Sequence, residues 1–107
     1  MKWLGITLNL NNYQSPLSFL DLYGHLHKKD IDLIRLADID LLEGLNKLIG
    51  FENYERIIFF SIDEIGEWSN LCELTNVCDK FNLEYSFVNE GIHSDIEVRI
   101  GELIGVI

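Results

Sequence analysis

Asp63, Glu64 and Glu67 crowd into RIIFFSIDEIGEW, residues 56–68. Carboxylates this close can do two things. They can hold Mg²⁺ through oxygen ligands, with Asp38 as a further donor. Or they can form a negative surface that meets a cationic partner. Magnesium-dependent phosphoryl transfer would normally add a lysine or a backbone cradle for phosphate. The chain has no GxGxxG after its first strand, and no GxxxxGK[ST], HExxH or GxSxG. Ser61 or Ser94 with His93 is too little for a nucleophile and base. Neither His25 and His27, two apart, nor Cys72 and Cys78, six apart, has metal spacing. No cofactor and no catalytic residue is therefore expected.

The elements that must position these acids can be read from periodicity. Ile57-Ile58-Phe59-Phe60 is the most apolar short run, and residues 56–62 read as a strand buried on both faces. Residues 2–9 and 31–36 alternate as strands, and 83–88 is a fourth, with Tyr85 and Phe87 on one face. Between them lie helical patterns. Residues 16–28 open on Ser15 and Pro16. Residues 39–49 carry the stripe Leu41, Leu42, Leu45, Leu48, Ile49, with Asp40 and Glu43 at capping-box spacing and Gly50 as the stop. Residues 66–81 end before Asn82, a left-handed C-terminal residue. The tail reads as a strand over 95–100, paired antiparallel with 83–89 through a loop at 90–94, with a further short strand possible at 103–106. The expectation is one α/β domain over 1–107, βαβαβαβ, with a mostly parallel sheet and an antiparallel C-terminal hairpin.

In such sheets ligands bind beyond the carboxyl ends of the strands. Those ends carry Asn9, Asn11 and Asn12, then Asp38 and Asp40, then Asp63, Glu64 and Glu67, then Asn89 and Glu90. Helix capping accounts for Asp38, Asp40 and Asp63. It does not account for Glu64, Glu67 and Glu90. Trp68 adjoins Glu67 and has two readings, a tryptophan packing helix on sheet or an aromatic anchor for a partner.

Charge narrows the partner. The 107 residues carry a net charge of −10. Residues 1–29 balance at +2, whereas residues 30–107 hold seventeen acids against five bases. Such a surface repels nucleic acid and anionic lipid and attracts a basic protein. It can also imitate nucleic acid in an enzyme's phosphate site. No apolar run approaches the ~20 residues of a membrane span. The first residues read as a strand, not a signal peptide, and two free thiols suit a reducing cytoplasm. Oligomeric state is open, with the apolar Leu103–Ile107 tail as one possible contact.

A small, acidic α/β chain without a catalytic motif resembles the bacterial immunity proteins, the inhibitor halves of toxin–immunity pairs. The resemblance lies in size, charge and compartment and carries no residue roles. It implies a cytoplasmic, non-enzymatic inhibitor that occludes the cleft of a basic toxin, such as a nuclease. The contact residues expected are Asp38, Asp40, Asp63, Glu64, Glu67, Trp68 and Glu90. Two other readings remain: an inhibitor from a phage or mobile element that mimics nucleic acid, and a small metal-dependent enzyme or signalling domain resembling a truncated flavodoxin-like fold.

Overall fold

A computed structural model describes residues 2–8 and 16–95. The parallel strands are β1 (Lys2–Thr7), β2 (Ile31–Arg35), β3 (Tyr54–Phe59) and β4 (Glu84–Phe87), and β5 (Ile92–His93) returns antiparallel to β4. The helices are α1 (Pro16–Leu26), α2 (Leu42–Ile49) and α3 (Trp68–Phe81). In space the strands run β2-β1-β3-β4-β5. Chain direction across the sheet therefore reverses after β2. With crossovers of one hand, that reversal puts α1 on one face and α2 with α3 on the other.

The two cores follow this division. Leu4, Ile6, Ile57, Phe59 and Phe87 point towards α2 and α3 and meet Leu42, Leu45, Leu74, Val77 and Cys78. Trp3 and Ile58 point the other way and meet Leu20 of α1. Period-two alternation in β1 and β3 thus feeds both faces, as expected of a central strand pair. Gly24 lets α1 lie close on β2, since a Cβ there would come 2.9 Å from Ile31.

Several boundaries differ from expectation, each for a local reason. Residues 39–41 form a 3₁₀ turn before α2. Asp38 caps that turn, its Oδ1 accepting from the Asp40 N–H at 3.0 Å, while α2 begins after Leu41 without a side-chain cap. The Asp40–Glu43 box is not made; Glu43 pairs with Lys80 of α3 instead. Leu41 and Leu48, seven apart, share the outer flank of α2 and are exposed, so the buried stripe narrows to Leu42, Leu45 and Ile49. β3 begins two residues early and stops at Phe59, because Ile62–Glu64 is a further 3₁₀ turn capped by Ser61. The hairpin exists, but its return strand is 92–93, inside the expected loop: Ser86 pairs with His93 and Phe87 with Ile92. The expected strands at 95–100 (beyond Asp95) and 103–106 lie outside the described residues, as does Ser15. Gly50 (φ 72°) and Asn82 (φ 60°) end α2 and α3 as expected. No helix among the described residues is long and apolar enough to cross a membrane.

Candidate functional site: an acidic edge around an exposed tryptophan

The loops after β2, β3 and β4 all leave the same edge of the sheet, because those strands are parallel. The edge therefore holds all seven expected contact residues. Asn9, Asn11 and Asn12 lie outside the described residues. The seven side chains are used there in different ways.

Glu64, half-buried, and Glu90, exposed, are both bonded within the chain. Glu64 reaches from the 3₁₀ turn after β3 to the end of β1, where its Oε1 accepts from Thr7 Oγ1 at 2.5 Å and from the Leu8 N–H at 3.2 Å. β1 and β3 are the neighbours at which a doubly wound sheet reverses, the place where such sheets hold ligands. Glu64 bridges that crevice from within. Its Oε2 is buried and has no hydrogen-bond partner among the described residues. Glu90 pins the β4–β5 turn to the end of β3. Its carboxylate accepts from Ser61 Oγ (2.9 Å), the Ile62 N–H (2.7 Å) and the Asn89 amide (2.8 Å). Partial burial alone would raise the Glu90 pKa. The hydrogen bonds from Ile62, Asn89 and Ser61 together outweigh it and hold the group below its ordinary value.

Asp63, Glu67 and Trp68 are turned outward. Ser61, not Asp63, caps the turn: its Oγ accepts from the Asp63 N–H at 3.2 Å, which leaves the Asp63 carboxylate in solvent. Gly66, at φ 76°, has open space where a Cβ would be, so its left-handed backbone alone calls for glycine. The chain then enters α3 at Trp68, with Glu67 at the N-cap position but with no side-chain cap bond. Trp68 is 77% exposed. Of its two readings, the tryptophan packing helix on sheet is not the one observed. Asp63, Glu67 and Trp68 line one open groove of about 360 Å³ whose floor is Ile62, Ile65 and Leu71.

Asp38 and Asp40 stand on the 3₁₀ turn that packs against α3. Both are exposed. The ion pairs among the described residues join Lys2–Asp32, His25–Asp21, Lys29–Glu55, Arg56–Asp95 and Lys80–Glu43. None of those pairs uses an acid of this edge. Arg35, which ends β2, is itself engaged.

Among the described residues no three His, Cys, Asp or Glu side chains converge on a point that could hold a metal ion. Asp38, Asp63 and Glu64 in particular are divided between capping, solvent and the β1–β3 crevice. Ser61 is committed to Glu90, and Ser94 bonds Glu84. His93 Nδ1 lies 2.8 Å from Ser86 Oγ, but Ser86 is fully buried and also accepts from Arg56, so this contact is a clip between strands.

Sequence reasoning missed a second cluster, on the α1 face. Trp3 is buried to 8% exposure and donates its indole N–H to Glu55 Oε1 at 3.1 Å. Lys29 reaches the same oxygen at 2.6 Å. Tyr23 stacks on the Trp3 ring, His27 meets it edge-on, and Arg56 and Lys29 stand over it at 5.7 and 5.9 Å from the centroid. Lysine paired to Glu55 holds that carboxyl below its ordinary pKa against partial burial.

No protein-family model matches the chain, and no curated protein or solved structure matches it significantly.

Proposed function

We propose that this chain is an acidic protein-binding inhibitor of the immunity-protein kind, which neutralises a basic toxin, such as a nuclease, by covering its active-site cleft. The observation that supports this best is the composition of one edge. Asp38, Asp40, Asp63 and Glu67 are exposed there without a paired cation among the described residues, and they surround a tryptophan that the fold leaves in solvent. A cleft built for phosphate is cationic, and a row of carboxylates fits it. The carboxylates would speed encounter, and Trp68 would slow release, since a few buried aromatic anchors dominate interface energies. An inhibitor carried by a phage or mobile element would act by the same contact.

The test is capture from a lysate of the native cell with the tagged chain, followed by binding to the purified partner. The expected partner is basic, is inhibited on binding, and is lost steeply as salt rises. A complex that is insensitive to salt, or that forms equally well with Asp63→Lys/Glu67→Lys, contradicts the reading.

One observation favours a second reading, a small metal-dependent domain: the buried, unpartnered Oε2 of Glu64 at the β1–β3 crevice. A thermal shift with Mg²⁺ that disappears in Glu64→Gln would support it, and the absence of any shift would remove it.

A further inference from the structure

The two tryptophans suggest what kind of side chain the partner brings. Around Trp3 the protein has assembled an aromatic face, cations over that face, and carboxylates that pair with the cations. Arg56 stands over the ring and pairs with Asp95; Lys29 stands over it and pairs with Glu55. At Trp68 the aromatic face and the carboxylates are again together, with Asp63 and Glu67 in the same groove. The cations that stand over aromatic rings in the described chain stand over Trp3 and Phe81. Trp68 keeps its face open.

Resting on the proposed protein-binding role, we infer that Trp68, Asp63 and Glu67 form a receptor for one arginine side chain of the basic partner. The guanidinium lies flat on the indole and donates to the two carboxylates, and its aliphatic stem runs over Ile65 and Leu71. Arginine suits each part of the groove. Its planar cation stacks on an indole, its fork of N–H donors matches carboxylates, and it is less strongly hydrated than an ammonium. Lysine can stand over a ring and pair with a carboxylate, as Lys29 does at Trp3, but its compact, strongly hydrated ammonium has neither the planar face nor the fork of donors. The apolar floor of Ile62, Ile65 and Leu71 would take up the methylenes of either residue, so it adds affinity without choosing between them.

The test uses the isotope-labelled full chain and two capped peptides of equal length, one with arginine and one with lysine between glycines. The readout is the indole N–H resonance of Trp68. The Trp3 indole, buried and bonded to Glu55, serves as an internal control for the fold. The arginine peptide is expected to shift Trp68 and the amides of 63–68 and to bind about five- to tenfold more tightly than the lysine peptide. Trp68→Leu should abolish that preference, and Asp63→Asn/Glu67→Gln should weaken arginine binding by a further several-fold. Equal binding of the two peptides, or shifts that map to another surface, would overturn the inference. The broader reading fails on a different result. If the natural partner binds this edge but tolerates arginine-to-lysine changes at its contact, the arginine receptor is wrong and the inhibitor stands. If arginine peptides bind Trp68 while the natural partner is not basic, the inhibitor is wrong and the receptor stands.

Discussion

Trp3 and Trp68 share a residue type and differ in almost everything the fold does with them. Trp3 sits on a central strand, meets α1, and has every part of its ring occupied: Tyr23 and His27 on the hydrocarbon, Glu55 on the N–H, Arg56 and Lys29 over the face. Trp68 is the first residue of α3, and its ring is left to solvent. The first site is complete within the chain and therefore stabilises it. The second has carboxylates of the same type without a paired cation among the described residues, and the proposed function gives that surplus charge to a partner. The same contrast divides Glu64 and Glu90 from Asp63 and Glu67. Acids bonded within the chain tie loops together; outward acids carry the field.

The largest expected effect lies at the buried tryptophan. Trp3→Ala should cost about 3–5 kcal/mol in urea-induced unfolding, because it empties a packed site. Trp68→Ala should change stability by no more than about 0.5 kcal/mol, as an exposed substitution does. Equal losses at the two positions would erase the distinction. Next, Trp68→Ala should weaken the partner complex by ~2 kcal/mol through faster dissociation, as calorimetry and surface-binding kinetics would show. Glu55→Ala should cost ~1 kcal/mol of stability, a modest figure because the Lys29 and Glu55 side chains are both more than a third exposed.

A smaller effect is a pH dependence. Glu90 and Glu55 have folded pKa values below the ordinary 4.5. Each therefore adds stability that is present above pH 4.5 and lost as pH falls through the lowered values. Glu90→Gln should flatten the acid limb of the stability profile, as unfolding followed against pH would show. The smallest effect is chemical. Burial, with the charges of Asp79 and Glu84, pushes the Cys78 thiol up to about 12. Thiol reagents should modify half-buried Cys72 well before Cys78, with the Cys78 reaction following global unfolding.

Much of the architecture was legible because periodicity reports burial. The alternation of 31–36 and the apolar run at 57–60 each located a strand, and Gly50 and Asn82 marked helix ends by their backbone conformation. Short elements were not legible. A two-residue strand such as Ile92–His93 has no period, and the 3₁₀ turns at 39–41 and 62–64 blur into their neighbours. Side-chain direction was also hidden. Adjacent Asp63 and Glu64 look alike in sequence, yet one turn of 3₁₀ backbone sends Glu64 to Thr7 and leaves Asp63 in water. Trp68 had two readings in the sequence, core or anchor, and only its exposure at the start of α3 separates them. The Trp3 cluster joins residues 3, 23, 27, 29, 55 and 56, a set that no local spacing connects.

These internal and outward roles also decide how the central claim should be tested. Glu64→Lys would break the Thr7 and Leu8 contacts and confuse binding with folding, so the charge reversal belongs at Asp63 and Glu67. The most direct measurement is the association rate of the captured partner with the parent chain and with Asp63→Lys/Glu67→Lys, at low and physiological salt. The account predicts association slowed by about tenfold or more at low salt, a difference that shrinks as salt rises, and unfolding midpoints that agree. Equal association rates for the two proteins at low salt would contradict it.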